Sequence, residues 1–323
     1  MNSLMTFLIL ILSATCSLAH ALTVPNPVVS AGWLVKNKSE VQIIEVASNL
    51  DSFMNQSENG QILKADKRIV VDFGGHIEGS TMMDFSIVRV DRVINGKKVK
   101  NLIPSAAVFQ KIVQSAGVNS DRHIVLVPFG QKVEDIDEAL RIFWQFKVYG
   151  QTNISILDGG LTGWLAEGRD VTVSNASKLT GNWMIKGYRK DLVATSDSVA
   201  RASGTSTSQL IDARDSSVYS GLTKGRVNDR YGYIKGAKNL SPDYLTRSEN
   251  GALYFLDKVT YEARLSEAGI ESNTSSIIYC ENGLFAAGPW FVMSEIVGNQ
   301  SVKLYDGSLH LWITEGRPLV TTD

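Results

Sequence analysis

The sequence predicts an α/β protein built from two rhyming domains, each a parallel β-sheet flanked by helices on both faces. Three observations predict it. Short apolar runs suited to buried strands alternate with helical stretches, which is the pattern of a parallel sheet. An ordered set of motifs occurs twice. Ala116-Gly117-Val118, HIVLV ending at Val127, SILDGGLTGW (155–164) and Glu167-Gly168-Arg169 return as Ala268-Gly269-Ile270, SIIYC ending at Cys280, KLYDGSLHLW (303–312) and Glu315-Gly316-Arg317. From Asp158/Asp306 to Arg169/Arg317 the offset is a constant 148 residues, and two copies of one domain are the economical explanation. Finally, 323 residues is about twice the common domain size.

In chain order, residues 1–21 read as a secretory signal peptide. The run 5–12 (MTFLILIL) is followed by Ala19-His20-Ala21, an A-x-A cleavage pattern, and is too short to cross a bilayer comfortably. No Lys or Arg precedes that run. Cys16 offers the alternative of a lipoprotein signal, but Ser13-Ala14-Thr15 lacks the usual Leu and small-residue pattern. The expectation is export, to a periplasmic or secreted location, with no membrane insertion after cleavage. Residues 25–172 form the first domain, 173–187 a polar linker and 188–323 the second domain. Strands are expected at 41–46 and 209–211, at 124–127 and 277–279, and at 154–157 and 302–305. Helices are expected at 134–148 and about 284–297, with weaker ones at 105–115 and 258–268.

Composition narrows the function. Thirty-two basic residues against 33 acidic ones give a net charge of −1, which argues against nucleic-acid binding through bulk positive charge. Two cysteines cannot make a disulfide framework or a thiolate metal site, and no metal or organic cofactor is called for. With the leader removed, Cys280 is the remaining thiol. It closes SIIYC and opens the loop CENGLFAAG before a helix, at the carboxyl end of a strand, where open α/β sheets bind ligands. Backbone N–H groups converging there, together with a helix N-terminus, would favour a thiolate or persulfide. The alternative on position alone is a core cysteine behaving as a small hydrophobe.

Gly-[His/Tyr]-Ile-x-Gly-[Ser/Ala] at 75–80 and 232–237, E-A-x-L-x-E-A-G-I at 262–270, the strand-end Cys280 and D-G-S-x-x-x-W at 306–312 together resemble the tandem rhodaneses. These are the two-domain thiosulfate and mercaptopyruvate sulfurtransferases, and the likeness spans about 28–320. The resemblance implies two rhodanese-like domains with the catalytic cysteine, Cys280, in the second, where it is matched by Val127 in the first. The Cys280 thiolate would attack the outer sulfur of thiosulfate, 3-mercaptopyruvate or a persulfide, and the resulting enzyme persulfide would pass to a thiol or cyanide. A protein could also serve as donor or acceptor. Backbone N–H groups of Glu281, Asn282, Gly283, Leu284, Phe285 and Ala286 would hold the persulfide. Gly283 would supply the turn, matched by Gly130.

The chain departs from the family at several places. Its loop reads Cys280-Glu281-Asn282-Gly283-Leu284-Phe285 where active members read C-R-K-G-V-T or C-G-S-G-V-T. Glu281 would repel an anionic donor and oppose thiolate formation. Val218 stands where the family tends to carry a substrate-binding Arg. Arg214 is a candidate substrate contact, or else pairs with Asp212, while Lys224, Arg226 and Arg230 could restore positive charge. His76 reads as a structural turn residue, His310 as a surface or packing residue, and Trp164 and Trp312 as core anchors. Pro289 must lie near the first turn of its helix or kink it. Two functions follow from this pattern: a sulfurtransferase, or a sulfur carrier or binding module with little turnover. A phosphatase or arsenate reductase of related design needs an Arg six residues after the Cys, where Ala286 stands.

Overall fold

The computed structural model describes residues 22–25, 27–48, 61–64, 67–70, 74–174, 179–205, 207–227 and 229–321, the segments 61–64 and 67–70 as backbone only. The expected leader lies outside the described residues. The first half runs β1 (Val28–Val29), α1 (Ala31–Asn37), β2 (Val41–Ala47), the hairpin β3 and β4 (Gln61–Lys64, Lys67–Val70), β5 (Thr81–Asp84), the hairpin β6 and β7 (Val90–Ile94, Lys97–Leu102), α2 (Ala106–Ser115), β8 (His123–Pro128), α3 (Val133–Val148), β9 (Ile154–Leu157) and α4 (Gly160–Ala166). The second half runs α5 (Ser196–Thr205), β10 (Gln209–Asp212), α6 (Ser216–Tyr219), β11 (Ala237–Asn239), the hairpin β12 and β13 (Thr246–Glu249, Ala252–Phe255), α7 (Lys258–Glu267), β14 (Ser276–Tyr279), α8 (Ala287–Phe291), β15 (Val302–Leu304) and α9 (Ser308–Thr314).

Each half holds its own parallel sheet, ordered β1-β9-β8-β2-β5 and β11-β10-β14-β15. Every residue of β2, β9 and β14 is buried, as strands covered on both faces must be. The duplication extends to individual side chains. Trp164 Nε1 donates to the Asp170 carbonyl and Trp312 Nε1 to that of Pro318, with Arg169 and Arg317 each 5.2 Å from the ring of its tryptophan. His76 and Thr172 form the same antiparallel bridge as Tyr233 and Val320. The His76 ring is buried against Ile77, Ser80 and Ser174, a structural turn residue as expected.

The halves meet through equivalent helices, α3 and α8. Phe143 and Phe291 pack edge to face at 4.9 Å, Lys147 pairs with Glu295 at 3.0 Å, and one apolar cluster runs through both halves. Pro289 is the third residue of α8, inside the first turn where a missing N–H leaves no bond unmade. That helix continues as a π-helix over Val292–Val297.

The hairpins cross over. The tip of the first half's β6 and β7 reaches the second half, where Lys97 Nζ donates to the Thr314 carbonyl. Just past β7, the Ile103 N–H donates to Asp306 at 2.9 Å. In return, the Phe255 N–H at the end of β13 donates to Asp158 at 2.9 Å. Asp158 and Asp306 are repeat equivalents, so each half sends a hairpin into the same corner of the other.

The stretch expected as a polar linker is bound to the first half where it is described. Trp183 is fully buried against Phe109 and Phe146, and its N–H donates to the Val118 carbonyl. One large aromatic in an otherwise polar run suffices to pin the segment down.

Candidate active site

Cys280 follows β14 directly. Its N–H donates to Ser308 Oγ at 3.0 Å, and the Ser308 hydroxyl donates in turn to the Tyr305 carbonyl at 2.8 Å. Ser308 holds a left-handed conformation (φ 48°) where the first half has Gly160 (φ 57°). A non-glycine there costs about 1–2 kcal/mol, which the hydroxyl offsets by capping the cysteine N–H. The Gly283 N–H points at the thiol, 3.1 Å from Sγ. Amides of Asn282 and Ala286 also favour the thiolate. The Leu284 N–H turns instead to Asn282 Oδ1 at 3.4 Å, and the Leu309 and His310 N–H groups hold the Cys280 and Glu281 carbonyls.

The thiol is completely buried, and burial outweighs those donors, so its pKa lies above the ordinary cysteine value. This corrects the expectation of a thiolate favoured by a helix N-terminus. Helix α8 begins only at Ala287, and the anion-favouring groups are loop amides.

Strand register corrects the repeat alignment as well. Leu126 pairs with Ile156 as Ile278 pairs with Leu304, so Pro128, not Val127, is the first-half counterpart of Cys280. The left-handed glycine then arrives one residue later in the cysteine loop, at Gly283 rather than at the position equivalent to Gly130.

The loop is braced from the first half. Arg141 on α3, fully buried, donates to the Gly283 carbonyl at 3.0 Å and forms a salt bridge with Asp306. A Cβ at Gly283 would meet the Asp306 carbonyl and this guanidinium, and φ is 80°. Nothing in the sequence around Arg141 singles it out, because its partners lie in the other half of the chain.

The charged candidates are placed differently from expectation. Arg214 is buried and forked onto Asp212, with Nη2 at 2.7 Å and Nε at 2.9 Å, and Nη2 also reaches the Gly232 carbonyl. It forms a structural ion pair and leaves no free guanidinium edge for a substrate, the alternative the sequence offered through Asp212. Lys224 pairs with Asp229 at 2.6 Å, and exposed Arg226 with Glu134 at 3.0 Å. Glu281 accepts the Val227 N–H at 2.8 Å and fills the space beside Gly225, so it anchors the 224–227 loop to the cysteine loop. Burial raises its pKa, against the Val227 N–H it accepts. Phe285 and Leu284 are half-buried, packed against the shared core. His310 Nε2 is buried without a hydrogen-bond partner, and the charges it feels are those of Lys100 and Asp91 on the first half's hairpin.

Comparison with known proteins places this architecture. Residues 195–315, the stretch that includes Cys280, match the model of the rhodanese-like domain. A 3-mercaptopyruvate sulfurtransferase of Escherichia coli is 26% identical over 289 residues, covering 88% of this chain and 94% of its own length. A putative thiosulfate sulfurtransferase of Mycolicibacterium smegmatis is 27% identical, covering 76% and 88%. The sulfur carrier protein TtuD of Thermus thermophilus is 28% identical, covering 78% and 87%. Among solved structures, SseA from Escherichia coli, described as the rhodanese fold of 3-mercaptopyruvate sulfotransferases, superposes with a TM-score of 0.69 at 24% identity over 88% of this chain and 98% of its own. The chain therefore has the two-domain rhodanese fold.

Proposed function

We propose that the protein is a sulfurtransferase that carries a sulfane sulfur on Cys280. The observation that carries this reading is the buried Cys280 thiol at a strand end, with the Gly283 N–H 3.1 Å from Sγ and the amides of Asn282 and Ala286 beside it. Such amides hold a terminal persulfide sulfur as an oxyanion hole holds developing charge. The sulfurtransferase names of the relatives agree with it.

With thiosulfate, the Cys280 thiolate attacks the outer sulfur, the S–S bond breaks, and sulfite leaves with the bonding pair. The product is the Cys280 persulfide anion. With 3-mercaptopyruvate the C–S bond breaks instead, and the thiol proton ends on carbon to give pyruvate. A thiol or cyanide then takes the outer sulfur and restores the thiolate. Because burial raises the thiol pKa, persulfide formation should accelerate as pH rises.

The test is intact mass of the reduced chain from Leu22 after separate exposure to thiosulfate and 3-mercaptopyruvate, with Cys280→Ala as control. Gain of one sulfur, absent from the control and discharged by cyanide, supports the reading. No gain from either donor, with Cys280 still open to alkylation, overturns it. A second reading, a sulfur carrier charged by a protein donor, draws on the relative named for that role. It predicts charging without multiple turnover.

Export belongs to the same proposal, resting on the run 5–12 and the Ala19-His20-Ala21 site. Amino-terminal sequencing of the protein made in a bacterial host with both membranes intact should begin at Leu22. A chain that retains residues 1–21 in the cytoplasm refutes it.

A further inference from the structure

Glu281 stands directly after Cys280, at the loop position that departs from the family pattern. Its main chain is pinned, since its carbonyl accepts the His310 N–H at 2.9 Å. Its side chain leaves the cysteine loop and is buried, only 9% exposed, against the segment 224–227. There Oε2 accepts the Val227 N–H at 2.8 Å, and Oε1 lies against Gly225 with no hydrogen-bond partner. A Cβ at Gly225 would coincide with that carboxylate, although φ there lies outside the left-handed region. The seated carboxylate, and not the backbone, is what calls for glycine at 225. Little else holds the segment down. Val227, and Leu222 just before the segment, are exposed. Lys224 pairs with Asp229 of the same loop. Arg226 pairs with Glu134 of α3, but both are exposed, and such pairs contribute little in water. The buried tie is the one from Glu281.

We propose that the segment 224–227 is a strap over the cysteine loop, that Glu281 is its latch, and that release of the latch admits sulfur donor and acceptor to Cys280. The proposal deepens the sulfurtransferase reading and rests on it for the identity of what enters. Cys280 has no exposed surface, so any reagent reaches the thiol only when part of its cover moves. Segments with few buried apolar contacts are the ones that open locally. The latch is also joined to the thiol by a single peptide unit, with Cα atoms about 3.8 Å apart. A carboxylate beside the nucleophile, a liability if it only repelled donors, then has a positioning role.

The first measurement avoids sulfur donors altogether. Alkylation of Cys280 by neutral iodoacetamide is followed across pH in the wild type, Glu281→Ala, Gly225→Ala and Glu134→Gln, with thermal melts to show that each is folded. Each profile yields a midpoint, which reports the thiol pKa, and a plateau at high pH, which reports access. The wild-type plateau should lie well below that of free cysteine. Glu281→Ala should raise it by about tenfold or more, as expected when one hydrogen bond to a charged group no longer holds the closed state. Loss of the neighbouring charge alone would lower the midpoint and leave the plateau in place. Gly225→Ala unseats the carboxylate without removing its charge, so it should raise the plateau too. Glu134→Gln should change it by no more than about twofold, as an exposed pair implies. A wild-type plateau equal to that of free cysteine, a plateau unmoved in both Glu281→Ala and Gly225→Ala, or one raised as much by Glu134→Gln overturns the latch. Thiosulfate and 3-mercaptopyruvate are then offered to the same variants. If neither charges Cys280 while Glu281 and Gly225 govern alkylation, the latch stands and the sulfurtransferase reading falls. If donors charge Cys280 but the alkylation plateau ignores both residues, the reverse holds.

Discussion

Arg141 offers the sharpest test of how the first half supports the cysteine loop. It is fully buried, bonded to Asp306 and to the Gly283 carbonyl, and its guanidinium lies 4.6 Å from the Trp144 ring. Arg141→Met keeps most of the apolar volume and removes the charge. Breaking one side of a buried pair costs about 3–5 kcal/mol, because the partner is left charged and dry. Asp306 retains the Ile103 N–H and some exposure, which argues for the lower end, while the lost bond to Gly283 adds about 1 kcal/mol. The expected loss is therefore about 3–4 kcal/mol, measured by urea unfolding monitored by circular dichroism and tryptophan fluorescence together. A core that runs through both halves predicts coincident transitions for the two probes. Asp306→Asn should cost a similar amount, and the double variant should fall short of the sum by about 2 kcal/mol or more. A loss below about 1 kcal/mol, or simple additivity of the two single variants, would refute the claim that this pair holds the loop.

Three other changes probe separate parts of the argument. Glu45 is buried, and burial pushes its carboxyl from 4.5 up to about 8, against the opposing Ile77 N–H and Ser80 hydroxyl. A raised folded value stabilises below the unfolded pKa and is lost as pH rises through the folded one, so wild-type stability should fall by up to about 5 kcal/mol between pH 4.5 and pH 8. Glu45→Gln should flatten that slope in melts from pH 5 to pH 9, and an unchanged slope excludes Glu45 as its source. Ser308→Gly relieves the left-handed backbone while Ser308→Ala keeps the strain and loses the same hydrogen bond, so the glycine variant should be the more stable by about 1 kcal/mol. Equal melting of the two would show that the backbone there is not strained. Gly283→Ala should cost about 2–4 kcal/mol through its φ of 80° and its collision with the Asp306 carbonyl. Gly269→Ala, at φ 68° but with nothing near the added carbon, should cost only about 1–2 kcal/mol, and equal losses would dismiss the collision.

The sheets were legible because a strand buried on both faces must be a continuous apolar run, and each of the six expected strands forms within a residue or so of its expected ends. The crossing hairpins were missed, although the signal was present. Asn95-Gly96 and Asn250-Gly251 are two-residue turns with all four φ values positive, the pairing that closes a tight hairpin, and they sit at matching places in the two halves. Strand 246–249 (TRSE) is wholly polar, and strand 90–94 (VDRVI) does not alternate apolar with polar, so neither carries the period of a half-buried strand. The cysteine and its glycine were readable from position, whereas Arg141 and Ser308 act through contacts between segments far apart in sequence. The thiol pKa was misjudged for a related reason: its sign depends on how deeply the loop is buried, which no local pattern encodes.

The duplication itself explains why one half alone is built for the proposed chemistry. Pro128 replaces the cysteine and has no N–H to offer a capping hydroxyl. Gly160 replaces Ser308, and a Cβ there would strike the Pro128 carbonyl, so a serine cannot simply be restored. The glycine turn comes one residue earlier, which removes one amide from the cradle. The Tyr254 ring packs against Gly159 and Gly163, where the second half places Leu311 against Gly307. A thiol alone should therefore not recreate the site. In Pro128→Cys combined with Cys280→Ser, incubation with thiosulfate or 3-mercaptopyruvate should add no sulfur to residue 128, while the single Pro128→Cys variant takes up no more sulfur than the wild type. Charging of residue 128 at a rate comparable to Cys280 would show that a strand-end thiol is sufficient in this fold, and that the Ser308 cap, the longer loop and the groups supplied by the other half contribute little.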